Sequence, residues 1–258
     1  MAKRRGSAKK LNIGDRTAWT IRLEAANIES MKSQVLISVT TFYGDWQQQL
    51  KDLKTNGIRE FALFLTGLKH EERPALYHEL EIMEGVSIPF AHAHSDMTTD
   101  ELDYLIERFG VQFFNIHSET QFPLTHNISR FNDRILLENS GPPLIEAELV
   151  KYAGLCLDLS HLESERLMKD PRYENTLKML EKYPVKANHI SGIAKATRVI
   201  SKNESTYDRH DLESMDQLEY LERYRDEKFL GRFIAIEMVN DIAAQTKAKD
   251  YIESILDN

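Results

Sequence analysis

Six of the nine histidines in this 258-residue chain close an apolar run or lie in the segment just beyond one: His92, His94, His117, His161, His189 and His210. Three carboxylates, Glu138, Asp158 and Glu237, end other apolar runs. Every one of these is a metal-ligand type. Three carboxylates brought into one volume repel strongly unless something neutralises them, and a bound divalent cation would do so. A mixture of neutral imidazole and carboxylate suits zinc, manganese, iron or cobalt better than calcium or magnesium. Each residue alone also has a plainer reading. A histidine after an apolar run is commonly a satisfied strand-end group. Glu138 and Glu237 could be acids at helix N-termini, and Asp158-Leu159-Ser160-His161 a helix cap followed by a surface histidine. The joint pattern is what points to a shared metal site.

The elements that must position these residues follow from the hydrophobic pattern. Apolar, often β-branched runs predict strands over Val35–Thr40, Glu60–Leu65, Val86–His92, Val111–His117, Arg134–Glu138, Gly154–Asp158, Val185–Ile190 and Phe233–Met238. Helical periodicity between them predicts helices over Gly44–Thr55, Glu71–Met83, Thr99–Phe109, Pro143–Lys151, Tyr173–Lys182, Leu212–Arg223 and Ala243–Leu256. Thr98-Thr99-Asp100-Glu101 reads as a helix start, and Gly57 and Gly110 sit where helices should stop. Ser201–Asp211 is polar and reads as a loop. Near-continuous apolar strands alternating with helices imply parallel strands buried on both faces. Their number and spacing fit a closed α/β (β/α)8 TIM barrel, in which the strand C-termini converge on one mouth. An open doubly wound sheet would call for a glycine-rich phosphate turn, and neither GxGxxG nor GxxxxGK occurs. Residues 34–258 therefore read as one domain, and residues 1–33 as a basic N-terminal extension, a disordered tail.

Composition bounds the remaining choices. Hydrophobic residues make up 41% and charged residues 29%, which argues against wholesale disorder. No apolar run approaches the length of a membrane span. The basic start lacks the apolar stretch of a secretory signal. The single cysteine, Cys156, excludes an internal disulfide and a cysteine-rich metal site. A cytoplasmic location is expected, with no membrane and no obligate protein partner. The net charge is −8, with Lys3, Arg4, Arg5, Lys9 and Lys10 concentrated at the start. So acidic a body does not attract polyanions through its overall field, although carboxylates that hold cations are neutralised when these bind.

From Gln34 to Leu256 the chain resembles the xylose isomerase-like TIM barrels, which include endonuclease IV and many sugar isomerases and epimerases. The segments ISVTTFYGDW and LKTNGIREFAL resemble the isomerase branch. LLENSG, LCLDLSH and IAIEM are common to both branches, and Asp208-Arg209-His210 resembles the Asp-Arg-His motif of endonuclease IV. The resemblance implies a zinc site of two or three ions, with Mn2+ or Fe2+ as substitutes. His92 or His94 would join His117 and a bridging Glu138. Glu138, Asp158, His189 and Glu237 would form a second group, and His161, Asp208 and His210 a third. Side chains two apart on a strand share a side, so both His92 and His94 stay candidates.

Two activities are implied. One is phosphoester hydrolysis on clustered metals, with abasic DNA as the family's substrate and Glu138 at the attacking water. The other is a one-metal sugar or sugar phosphate isomerase or epimerase, in which Glu138 and Glu237 exchange a proton on carbon. There His161 would bind substrate hydroxyls or carbonyl. Iron-dependent oxidation is a third, more distant option. The chain departs from endonuclease IV in three places. His94-Ser95-Asp96-Met97-Thr98 offers only Met97 as a DNA wedge, His117-Ser118-Glu119 replaces His-Pro-Gly, and the first strand lacks the usual histidine. Lys195, Arg198, Lys202 and Arg209 could line one side of the mouth, or belong to a solvated loop.

Overall fold

Strands that are apolar on both faces must be covered on both, and the chain meets this by curling its sheet into a cylinder with helices outside. The computed structural model describes residues 32–201 and 204–257. The basic extension, apart from Lys32 and Ser33, lies outside the described residues, as does Lys202. The strands are β1 (Gln34–Leu36), β2 (Ser38–Thr40), β3 (Ala62–Phe64), β4 (Phe90–His92), β5 (Phe113–Ile116), β6 (Ile135–Glu138), β7 (Gly154–Asp158), β8 (Val185–Ile190), β9 (Gly192–Ser201), β10 (Glu204–Arg209) and β11 (Phe233–Ile236). The helices are α1 (Trp46–Thr55), α2 (Arg73–Glu81), α3 (Thr99–Phe109), α4 (Glu146–Leu149), α5 (Leu159–Met168), α6 (Pro171–Leu180) and α7 (Ile242–Leu256).

Nine strands form one parallel sheet in the order β1-β11-β8-β7-β6-β5-β4-β3-β2. β1 pairs with β11 and β2 with β3, and only Ile37 separates them. Together they occupy the place of a single first strand and close the cylinder. This is the (β/α)8 barrel that the sequence pattern predicts.

Two apolar layers hold it. Inside the cylinder, Leu36, Ala62, Phe64, Phe90, Leu136, Cys156, Ala187, Phe233 and Ala235 fill the lumen. Outside, Leu63, Phe114, Leu137, Leu157 and Ile236 meet helix residues such as Leu53, Leu76, Leu105 and Ile252. The i, i+2 rule places the residue two beyond a lumen residue on the same inner face. Phe90 is thus followed by His92, Leu136 by Glu138, Cys156 by Asp158, Ala187 by His189 and Ala235 by Glu237.

The predicted strands and most predicted helices form, generally a few residues shorter at their ends. α3 carries the expected capping box between Thr98 and Glu101 and stops at Gly110 in the left-handed region, φ 77. Leu212–Arg223 forms a 3-10 helix, Met215–Tyr224, in place of an α-helix. The polar segment read as a loop is largely an antiparallel hairpin of β9 and β10. The buried positions of β10, Thr206 and Asp208, are polar, so no apolar alternation marks the strand in the sequence. Among the described residues no helix is long and apolar enough to cross a membrane.

Candidate metal centre

The mouth of the barrel encloses a cavity of about 390 Å3 lined by His92, His117, Glu138, His161, Asp208, His210 and Glu237, among others. Among the described residues, three groups of donor atoms lie in it or, for Asp158 and His189, buried beside it, each with its atoms within 4.8 Å of one another. They are His92, His117 and Glu138; Glu138, Asp158, His189 and Glu237; and His161, Asp208 and His210. Glu138 belongs to two of them.

In the first group, His92 Nε2 is 3.2 Å from His117 Nε2 and 3.0 Å from Glu138 Oε2, and His117 Nε2 is 3.8 Å from that oxygen. Ligands about 2.0–2.1 Å from a tetrahedral zinc are separated by roughly 3.3 Å, so these spacings bracket a common cation. In the second group, His189 Nδ1 lies 3.0 Å from Glu237 Oε2 and 3.5 Å from Glu138 Oε2. In the third, Asp208 Oδ2 lies 3.8 Å from His161 Nε2 and 3.7 Å from His210 Nε2.

The surroundings orient these groups. His92 Nδ1 faces the Ala93 carbonyl at 3.2 Å, and His210 Nδ1 faces the Glu237 carbonyl at 3.1 Å. A carbonyl only accepts, so each Nδ1 carries the proton and each Nε2 offers a lone pair, as metal-ligating imidazoles do. Asp158 N-caps α5, where its Oδ1 accepts the His161 amide at 2.8 Å and the Ser160 hydroxyl. That leaves Oδ2 for another partner, so the capping role and the ligand role coexist. Thr206 donates to Asp208. Ser164 ties the hairpin to α5 through the Tyr207 amide and the Thr206 hydroxyl, each at 2.9 Å. The register of the hairpin slips between Thr206 and Asp208, an irregularity that re-aims side chains.

Unsatisfied atoms test whether a cation fits. Eight buried side-chain atoms lack a hydrogen-bond partner among the described residues. Five belong to candidate ligands: Asp158 Oδ2, His161 Nδ1, His189 Nδ1 and Nε2, and Glu237 Oε2. Buried polar atoms are ordinarily paired, and close donors without aligned hydrogens are what co-ligands of one ion present. The donor set therefore fits divalent metal ions.

The charges agree. Burial alone would raise Glu138, but His189, His117 and His92 hold it well below the ordinary carboxylate range. Burial is likewise outweighed at Glu237, where His189 brings the pKa to about 2. Asp158 remains raised, through burial that exceeds the pull of His161 and through the neighbouring Glu237 and Glu138. His161, despite burial, is lifted to about 9 by Asp158, Asp208, Glu138 and Glu237. Burial dominates at His117, which falls to about 4 and is neutral at pH 7, the form that binds metal.

The structure brings together nine of the ten residues singled out in the sequence. His94 stays apart. β4 ends at His92, so the alternation that would keep both histidines on one side no longer applies. His94 Nδ1 instead meets Asp96 at 2.8 Å, in a chain that continues to the buried Arg73, also at 2.8 Å. Met97, the only wedge available there, is 2% exposed and packs in the core, so it cannot enter a base stack. Lys195 pairs with Asp216, and Arg209 with Asp211 and Glu213, while Arg198 lines the cavity.

Sequence reasoning passed over Asn115. It is buried in β5 and donates to Glu138 Oε2 at 2.6 Å. Its signal was present, because it is a polar residue inside an otherwise apolar strand, two residues before His117.

No family model matches the chain, and no curated protein matches it. Eleven chains among solved structures do. One is a xylose isomerase-like TIM barrel/4-hydroxyphenylpyruvate dioxygenase fusion protein, similar at a TM-score of 0.49 and 13% identity over 86% of this chain and 42% of that one. The chain thus spans less than half the length of that protein.

Proposed function

We propose that this protein is a metal-dependent phosphoester hydrolase resembling endonuclease IV, working with two or three divalent ions, zinc foremost. The observation that carries this reading is the third group. His161, Asp208 and His210 come from a helix, a hairpin and the segment beyond it, yet their donor atoms gather in the cavity that His92, His117, Glu138 and Glu237 also line. A one-metal enzyme would use His161 on its substrate but has no need of Asp208 and His210 gathered beside it.

Ions held at these residues would neutralise the phosphoryl oxygens and make water a nucleophile at neutral pH. Glu138 takes the proton of the attacking water. Its carboxylate is fixed by Asn115 on one oxygen and kept ionised by three histidines, so it is in the accepting form when water arrives. The water oxygen bonds to phosphorus, the ester P–O bond breaks, and the alcohol leaves with a proton from solvent. His92 and His210, with Nδ1 tethered to backbone carbonyls, keep their geometry through the step.

One observation favours a second reading. Glu138, Asp158, His189 and Glu237 alone form a complete single-metal site with two carboxylates flanking a substrate, the arrangement for moving a proton between carbons of a sugar. Elemental analysis separates the two. Two or three metals per chain, with turnover of bis(p-nitrophenyl) phosphate, support the hydrolase. One metal, no phosphoester turnover and interconversion of a ketose establish the isomerase. Abasic duplex DNA is the first natural ester to assay.

A further inference from the structure

Glu165 is a carboxyl that the proposed hydrolysis leaves unused. It lies on α5 one turn beyond His161 and lines the same cavity. The residue is 8% exposed, and its Oε2 has no hydrogen-bond partner. Its Oε1 is 3.6 Å from Arg172 Nε, too far for a hydrogen bond. Arg172 is engaged elsewhere, donating to the Gly141 carbonyl at 2.7 Å and to Asp170 Oδ2 at 2.9 Å. Asp170 in turn N-caps α6 by accepting the Arg172 amide at 2.9 Å. The wall is therefore built before any ligand arrives. Gly141 holds φ 74, a left-handed backbone conformation that favours glycine in the loop after β6.

Two acids and one guanidinium already bound to one of them make a poor seat for a second phosphate. They suit hydroxyl groups, which donate to a carboxylate and accept from a carboxylic acid. Burial, opposed by Arg172, pushes the Glu165 carboxyl up to about 7, so both forms are present at neutral pH. Either form can bond a hydroxyl, and the terminal carboxyl torsion is soft enough to turn either oxygen to it. The cavity volume, about 390 Å3, falls in the usual range for small-molecule sites.

We infer that the wall of Glu165, Asp170 and Arg172 is a subsite for the hydroxylated portion of a small organic phosphate, with Glu165 bonding a substrate hydroxyl. This rests on the hydrolase reading and narrows its substrate from a polyanionic strand to a polyol phosphate.

The test is calorimetric binding of ribose 5-phosphate and of methyl phosphate to the metal-loaded full chain, with phosphorus NMR checking that each ligand stays intact. Wild type is expected to prefer ribose 5-phosphate. Glu165→Ala should reduce that preference about 10–100-fold, the loss of one hydrogen bond to a charged group. Glu165→Gln, which keeps shape, folding and a group able to bond a hydroxyl, should retain more of the preference than Glu165→Ala. Equal binding of the two ligands by wild type, a preference retained in both variants, or tighter binding of fructose 1,6-bisphosphate than of fructose 6-phosphate would each overturn the subsite. Failure of the hydrolase reading looks different: no turnover of bis(p-nitrophenyl) phosphate, whatever ribose 5-phosphate does in the calorimeter.

Discussion

The Nε2 atoms of His92 and His117 face each other at 3.2 Å, with Glu138 Oε2 3.0 Å from the first and 3.8 Å from the second. His92 already gives its Nδ1 proton to a backbone carbonyl. Its Nε2 therefore points a lone pair at a second imidazole and a carboxylate, an arrangement that a cation resolves best. Metal binding should stabilise the fold accordingly. At one hundred times its dissociation constant a ligand adds about 2.7 kcal/mol, which for a domain of this size is roughly 5–10 °C in Tm. Differential scanning calorimetry with chelator and then with added zinc checks this, and an unchanged midpoint would count against all three groups.

Asp208→Ala should remove one metal per chain without unfolding the barrel. The residue sits on the hairpin, which pairs only within itself and is tied to α5 through Ser164, away from the barrel ladder. Elemental analysis beside circular dichroism reads the outcome. Unchanged stoichiometry would show that the third group holds nothing.

Glu138→Gln should lower turnover at least 100-fold, the lower end of what a positioned base contributes, while the Tm in chelator stays near wild type. Asn115→Ala removes the 2.6 Å hydrogen bond that orients this carboxylate. It should cost about 10–100-fold in metal affinity or activity, as supporting contacts around metal sites do. A fully active Glu138→Gln enzyme would remove Glu138 from the mechanism.

Away from the mouth, the fully buried Arg73 is held by Glu101 at 2.8 Å and Asp96 at 2.8 Å. At both acids burial opposes ionisation but Arg73 outweighs it, so both sit below the usual carboxylate range. Their stabilisation is therefore complete above the ordinary carboxylate pKa and is lost as pH falls through the lower folded value. Glu101→Gln should destabilise by about 3 kcal/mol at pH 7, because it strips a buried charge of a partner. The gap from wild type should narrow on acidification, since protonated Glu101 resembles glutamine. Denaturant midpoints at pH 7 and pH 3 measure it, and a gap that widens would refute the assignment.

Burial pushes the Cys156 thiol up to about 12. The native protein should then leave a maleimide unreacted and consume one equivalent only on unfolding, as intact mass spectrometry would record. Prompt labelling of the native chain would mean that the lumen opens.

Much of this site was legible in the linear sequence, because the rule that places it is local. A lumen residue followed two positions later by a ligand type is a pattern within one strand, and it holds for Glu138, Asp158, His189 and Glu237. The sequence alone thereby determined the barrel and its parallel order, and it pointed to the strand-borne members of the donor groups. Tertiary structure decided what depends on where a strand stops or what packs above it. β4 ends at His92, which sends His94 to Asp96. Met97 looked like a wedge until the core enclosed it. The strand of the hairpin that carries Asp208, β10, buries the polar residues Thr206 and Asp208 and so gives no apolar periodic signal, and only its packing on α5 brings that carboxylate to His161. Glu165 shows the same limit. A glutamate on a helix is ordinarily solvated, and only the assembled mouth turns this one into a buried acid with an oxygen to spare.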